Sequence, residues 1–139
     1  MKPDRNTRIL IVEDEPDIAD VLKQLLELKS SAEVDVAENL RTAREKMRSS
    51  AYDLITLDYQ LSDGFSFELL AEITASEAHP PVIVVTGRGN DDVASMAIQQ
   101  GAAGYIVKND KLLSTLPEAV DRALKDFVLT KAVEAIRES

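Results

Sequence analysis

Residues 53–64, DLITLDYQLSDG (Asp53 to Gly64), set the terms for the rest of the chain. Leu54 to Leu57 is an apolar run of strand length that closes on a single carboxylate, Asp58. Ser62-Asp63-Gly64 is a turn signal, and a helical pattern with Phe67, Leu70 and Ile73 begins beyond it. A carboxylate closing a buried strand costs stability unless it has partners. Asp58 is therefore a functional candidate by position, and the groups that meet it must come from elsewhere in the chain.

Outward from this unit, strands and helices alternate. Arg8 to Glu13 (RILIVE) is a continuous apolar run that predicts a strand buried on both faces. Pro16 suits the first turn of a helix carrying Ile18, Val21, Leu22, Leu25 and Leu26 at helical spacing. Glu33 to Ala37 alternates and predicts an edge-type second strand. Asn39 can cap a helix whose inner face is Leu40, Ala43 and Met47. Pro80-Pro81 launches a fourth strand, Val82 to Val85, which ends on Thr86-Gly87. Asn90 is placed to cap a helix with Val93, Ala94, Ala97 and Ile98 inward, and Gly101 ends it. Tyr105-Ile106-Val107 predicts a fifth strand ending on Lys108. Thr115 and Glu118 have capping-box spacing, which predicts the start of a final helix. Five such units without an internal repeat predict an α/β parallel sheet with helices on both faces.

The 139 residues, 45% hydrophobic and 29% charged, suit one soluble domain with a normal core. Without cysteine there is no disulfide framework and no thiolate metal site. A net charge of −9 argues against binding nucleic acid through a basic face. No signal peptide and no apolar span of membrane length is present, so the chain is expected in the cytoplasm, without membrane attachment.

In open parallel sheets, ligands bind beyond the carboxyl ends of the strands, near the switch in strand order. Those ends carry Glu13-Asp14, Asp58, Thr86 and Lys108. Each alone has a plain structural reading, since carboxylates often cap helices and a threonine hydroxyl can simply bond backbone. Four of five strands ending in complementary groups point instead to a site. Three crowded acids want a hard cation, and Mg²⁺ suits carboxylates, a carbonyl and water. With a cation in place, Asp58 can act as a nucleophile toward a phosphoryl donor. Lys108 supplies a positive charge for the phosphoryl oxygens, and Thr86 a hydroxyl able to turn toward a new acceptor. The loop Glu13-Asp14-Glu15-Pro16 is acidic and free of glycine, so it would repel a nucleotide phosphate. That excludes a Rossmann dehydrogenase or a P-loop enzyme.

ILIVEDE (9–15), LITLDYQLSDG (54–64), PVIVVTG (81–87) and GYIVK (104–108), in this order and spacing, closely resemble the receiver domain of two-component response regulators. The resemblance covers about residues 7–125. It implies a doubly wound, flavodoxin-like sheet of five parallel strands in the order 2-1-3-4-5, with five helices. It implies that Asp58 accepts a phosphoryl group from a phosphohistidine on a histidine kinase or histidine phosphotransfer protein. Mg²⁺ would be bound by Asp14 and Asp58, by Glu13 mostly through water, and by the backbone carbonyl of Gln60. Thr86 and Lys108 would contact the phosphoryl group, and Tyr105 would turn inward when Thr86 moves. Gln60 and Arg88 would tune the lifetime of the aspartyl phosphate, and Gly87 would keep the site open to a partner. Such a phosphorelay signalling domain is not an enzyme beyond its own phosphorylation and dephosphorylation.

One residue departs from the pattern. Asn109 stands where the family usually has a proline in a cis bond, and a non-proline cis bond costs about 3 kcal/mol. The loop after the fifth strand is therefore expected to be trans or strained. Two other readings compete. A magnesium phosphohydrolase with an aspartyl-phosphate typically carries a second aspartate two residues after the nucleophile, where this chain has Gln60, and no cap domain is present. A degenerate receiver would act as a phosphorylation-independent binding module, against which stand Asp14, Asp58, Thr86 and Lys108. His79, the only histidine, sits beside Pro80 in a loop and is assigned no role.

From Val120, the apolar positions Leu124, Phe127, Val128, Ala132, Ala135 and Ile136 continue further than a sheet can cover. Residues 126–139 are expected to form a helical extension or linker that either projects or pairs with another chain, with a coiled-coil homodimer and a stand-alone receiver as the alternatives. AVEAIRES (132–139) resembles the junction that leads from a receiver into a sensory or kinase module, so the chain reads as an excised N-terminal receiver.

Overall fold

The computed structural model describes residues 7–87 and 91–138. In chain order the elements are β1 (Arg8–Val12), α1 (Pro16–Lys29), β2 (Glu33–Ala37), α2 (Leu40–Ser49) and β3 (Leu54–Asp58). A short hairpin of β4 (Gln60–Leu61) and β5 (Gly64–Phe65) precedes α3 (Ser66–Thr74). Then come β6 (Val82–Thr86), α4 (Asp91–Gln99), β7 (Gly104–Val107) and α5 (Leu112–Glu138). The main sheet is parallel throughout, in the order β2-β1-β3-β6-β7. With the small hairpin set aside, this is the expected 2-1-3-4-5 order.

Every residue of β3 and β6 is buried, as continuous apolar runs require when helices cover both faces. Alternation along the strands divides the core in two. Leu10, Val12, Ile55, Leu57, Val82 and Val84 pack with Leu40 and Ala43 of α2, Leu69, Leu70 and Ile73 of α3 and Ala97 of α4. Ile9, Ile11, Leu54, Ile83 and Val85 pack with Leu22 and Leu26 of α1 and Leu116, Val120 and Ala123 of α5. Each fully buried aliphatic side chain contributes about 1.5–3 kcal/mol, so both faces hold the strands in register.

Several local expectations change. Val21 is 48% exposed and Ile98 53%, because each neighbours a buried residue, Leu22 or Ala97, from which it is rotated by about 100° around its helix. Thr115 does not begin the last helix. Leu112 does, after a turn in which the Asn109 side-chain oxygen accepts the Lys111 N–H at 2.9 Å and the Asn109 carbonyl the Leu112 N–H at 3.0 Å. Thr115 lies inside the first turn and donates its hydroxyl to the Lys111 carbonyl at 3.0 Å. The cap assigned to Asn90 lies outside the described residues. Gly101 does close α4, at φ +100°, where a Cβ would come within 3.0 Å of Thr74 Cγ2. No cis peptide occurs among the described residues, so the bond between Lys108 and Asn109 is trans.

The final helix runs 27 residues without interruption. Its sheet-facing stripe of Leu116, Val120 and Ala123 ends at the half-buried Phe127. Beyond that point Leu129, Val133 and Ile136 stand on another face and are exposed. The side turned to the protein there carries Thr130, Lys131 and Glu134, which border a groove of about 490 Å³ opposite Glu77 and His79. Among the described residues, no helix is long and apolar enough to cross a membrane.

At the amino ends of the strands, Arg8 is held among acidic groups. Arg8 Nη2 lies 3.1 Å from Asp35 Oδ2, and the Tyr52 hydroxyl donates to that same oxygen at 2.6 Å. The Arg8 guanidinium also stands 5.3 Å from the centre of the Tyr52 ring, and the Arg8 N–H donates to Asp53 at 2.8 Å. Burial and the Asp35 carboxylate push the Tyr52 phenol from 10.0 up to about 12. The folded state therefore holds this proton more tightly than the unfolded chain, and the associated stability is complete below pH 10 and lost as pH rises toward 12. Tyr52→Phe should lower unfolding stability by about 1 kcal/mol at neutral pH, measured with urea. Its deficit against wild type should shrink between pH 10 and 12, whereas a constant deficit would mean that the phenol does not titrate this way.

Candidate functional site

Register, more than any local signal, assembles the site. Val12 pairs with Leu57, Asp58 with Val85, and Thr86 with Val107, so neighbouring strands stop nearly level. Backbone bonds extend the ladder just past those ends: Glu13 N–H to the Ala37 carbonyl at 2.9 Å, Tyr59 N–H to Val85 at 3.0 Å and Lys108 N–H to Thr86 at 2.7 Å. The next side chains, Glu13, Asp14, Asp58, Thr86 and Lys108, are thereby delivered to one edge of the sheet.

There, Glu13, Asp14 and Asp58 each place a carboxylate oxygen within 4.8 Å of the others. Lys108 Nζ lies 2.5 Å from Glu13 Oε1 and 3.0 Å from Asp58 Oδ2. Glu13 is only 2% exposed and Asp58 7%, while Asp14 is half-buried toward the opening. Glu13 also accepts the Glu15 N–H at 3.1 Å, which fixes the turn out of β1.

Two unit charges at about 4.8 Å repel by roughly 3 kcal/mol at an effective dielectric of about 20. Among the described residues, one ammonium meets two of the three carboxylates, so the ionised cluster keeps two negative charges that none of them compensates. The strain shows on Glu13: burial, with the Asp58 charge adding, pushes its carboxyl from 4.5 up to about 7 despite the bond from Lys108. Desolvation pulls Lys108 down, but its bonds to Glu13 and Asp58 outweigh that and raise it. The donors are hard oxygens, the surplus charge is negative, and the cluster opens to solvent beside Asp14. Those are the properties of a site for a small divalent cation such as Mg²⁺.

An open cleft of about 400 Å³ lies over the cluster and is bordered by Asp14, Asp58, Gln60, Thr86, Gly87 and Lys108. Gln60 reaches it from β4. The rim is open at Gly87, where a Cβ would meet nothing within 4 Å. Thr86 is 2% exposed. Tyr105 is half-buried on β7 against the α2, α3 and α4 side of the core. It pairs with Val84, so Thr86, two residues further along β6, shares its face of the sheet. Arg88 lies outside the described residues. His79 is far from this edge, with its Nδ1 2.8 Å from the carbonyl of Pro80.

Two side chains at the site were not singled out by sequence reasoning. Ser66, fully buried at the start of α3, donates its hydroxyl to the Asp58 carbonyl, and its N–H goes to the Tyr59 carbonyl at 3.2 Å. Asp63 accepts the Leu40 N–H at 2.9 Å and the Arg41 N–H at 3.1 Å, both from the first turn of α2. Partial desolvation raises the Asp63 carboxyl, but these amides outweigh it and hold the group below its usual range. A serine opening a helix is a readable signal. A cap supplied from more than twenty residues away is not.

The arrangement joins a nearly buried carboxylate, an ammonium in contact with it, a hydroxyl on the adjacent strand and surplus negative charge at an open cleft. Comparison with known proteins points the same way. The sequence pattern of the response regulator receiver domain matches residues 9–121. The chain is 33% identical over 118 residues to the response regulator protein PilR of Pseudomonas aeruginosa, covering 85% of this chain and 26% of that one. It thus spans about a quarter of that relative's length. The signal receiver domain of a protein described as a Luxo repressor, from Vibrio parahaemolyticus, superposes with a TM-score of 0.84 at 29% identity, covering 94% of this chain and 98% of that one. The response regulator TrrA of Thermotoga maritima, solved in complex with Mg(2+)-BeF, gives a TM-score of 0.74 at 32% identity, covering 84% and 98%. With the strand order, the acidic edge and a match over most of its length in agreement, the chain belongs to the response regulator receiver domain family.

Proposed function

We propose that the chain is a phosphoacceptor that takes a phosphoryl group onto Asp58 from the phosphohistidine of a histidine kinase or histidine phosphotransfer protein. The observation that carries this reading is the trio of carboxylate oxygens within 4.8 Å, with Lys108 Nζ 3.0 Å from Asp58. Asp14, Asp58, Glu13 through water and the Gln60 carbonyl would hold Mg²⁺, a reading also supported by the Mg(2+)-BeF complex of TrrA. When bound, the metal supplies positive charge to the phosphoryl oxygens. An Asp58 carboxylate oxygen attacks phosphorus, the new O–P bond forms as the P–N bond to the donor imidazole breaks, and the electron pair stays on that nitrogen. Lys108 leaves Asp58 for a phosphoryl oxygen, while Glu13 stays at its side. Thr86 turns its hydroxyl toward the same group, and Tyr105, on the same face, takes the space that Thr86 releases. The surface of α4, β7 and α5 changes with it. Gln60, at the rim, and Arg88 tune how long the aspartyl phosphate lasts.

Residues 7–125 would form this receiver, working in the cytoplasm and without nucleic-acid contact of its own. Residues 126–139 would be a helical linker toward an output module, and the exposed Leu129, Val133 and Ile136 support pairing with a second copy. A complete set of Asp14, Asp58, Thr86 and Lys108 favours the phosphoacceptor over a degenerate binding module.

Intact mass after incubation with Mg²⁺ and a small-molecule phosphodonor should show one phosphoryl adduct, absent from Asp58→Asn and from a chelated sample. Lys108→Ala should slow adduct formation by roughly tenfold or more. A wild-type chain left unmodified by both that donor and a purified phosphohistidine donor would leave only the binding-module reading. In sedimentation, the phosphorylated chain should run as a dimer, and Leu129→Asp combined with Ile136→Asp as a monomer. Equal sedimentation of the two would rule out pairing through the tail.

A further inference from the structure

We propose that Asp63 is a positioning residue for the acceptor site: by holding the first two amides of α2, it fixes the β4–β5 hairpin and, with it, the Gln60 backbone beside Asp58. This rests on the metal reading given above for the Gln60 carbonyl.

The hairpin pairs only Gln60 with Phe65 and Leu61 with Gly64. A ladder that short does not hold its own shape in water. Its root is tied by Ser66, whose hydroxyl reaches the Asp58 carbonyl and whose N–H reaches the Tyr59 carbonyl. Its tip is tied by Asp63, with one carboxylate oxygen on each of two amides. Gly64 presses the same joint, since at φ +145° a Cβ would stand 3.2 Å from Leu40 Cδ1. Between root and tip, Leu61 is buried and plugs into the core. Gln60 is thus held three residues from the latch, on a loop fastened at both ends.

Helix capping alone does not explain the contact. Asn39 already caps α2, its side-chain oxygen accepting the Thr42 N–H at 2.8 Å and its carbonyl the Ala43 N–H at 3.0 Å. Asp63 adds the two remaining bonds from a different part of the chain, and so links the acceptor loop to α2. The link is reciprocal. Whatever steadies Gln60 at the cluster must also steady the Leu40 and Arg41 amides.

Asn39 supplies the control, because Asn39→Ala weakens the same helix end without touching the loop. Mg²⁺ titrations followed by calorimetry should show Asp63→Ala binding about tenfold or more weakly than wild type, with Asp63→Asn between them. Asn39→Ala should lower the urea midpoint comparably yet keep Mg²⁺ affinity within about twofold. Hydrogen exchange at Leu40 and Arg41 should slow when Mg²⁺ is added to wild type, and not in Asp63→Ala. Wild-type affinity in both folded Asp63 variants, or equal losses in Asp63→Ala and Asn39→Ala, would overturn the proposal. Absence of Mg²⁺ binding by wild type is a separate result, and it would overturn the metal reading and this proposal with it.

Discussion

Lys108 bonding Glu13 and Asp58 at once is the contact on which the carboxyl edge of the sheet depends. Removing one partner of a buried ion pair typically costs about 3–5 kcal/mol, because the other charge is left without compensation. Here the compensation is already incomplete, and Glu13 is pushed far from its ordinary titration. The opposite end of the same sheet makes the contrast. There Arg8 stands between the carboxylates of Asp35 and Glu33, and the Tyr52 hydroxyl donates to Asp35. The carboxyl edge, among the described residues, keeps a surplus of negative charge beside an open cleft.

What holds that surplus in place is the core beneath it. β3 and β6 are buried along their whole length, and the two apolar clusters on either face fix the register that stops neighbouring strands level. Local devices then refine the edge. Ser66 takes the Asp58 carbonyl, Asp63 ties the following hairpin to α2, and an open rim at Gly87 keeps the cleft accessible. Tyr105 shares its face of the sheet with Thr86, so a displacement at the cleft has a direct mechanical neighbour on the edge strand. The long α5 carries the same body outward, with its apolar stripe moved to a new face after Phe127.

The main sheet was legible because most of its strands are continuous apolar runs bounded by turn residues, and because four of the five carboxyl ends carry a polar residue that a core would reject. Glu33 to Ala37 and Leu54 to Asp58 lie where the alternation and the apolar run put them. The errors have common physical causes. Val21 and Ile98 are apolar without being inward, since a helix buries a narrower stripe than its composition offers. Thr115 and Glu118 have the spacing of a cap but lie within a helix that starts at Leu112, after a turn in which the Asn109 side chain takes the Lys111 amide. The β4–β5 hairpin and its latch were illegible for a different reason. Asp63 forms a plausible local turn with Gly64, and nothing nearby in sequence says that its carboxylate reaches α2. Gathering Glu13, Asp14, Asp58, Thr86 and Lys108 at one edge followed from topology. Their distances did not, because they depend on side-chain packing that periodicity does not encode.

The most direct test of the central claim, that the surplus charge around Asp58 exists to receive a cation and a phosphoryl group together, is an amide NMR titration with Mg²⁺ and beryllofluoride, a mimic of the aspartyl phosphate. The expected result is saturable shifts at the carboxyl ends of β1, β3, β6 and β7, extending to Tyr105 and to Leu40 and Arg41, and absent from Asp58→Asn. Shifts that survive in Asp58→Asn, or none at all at these strand ends, would contradict it.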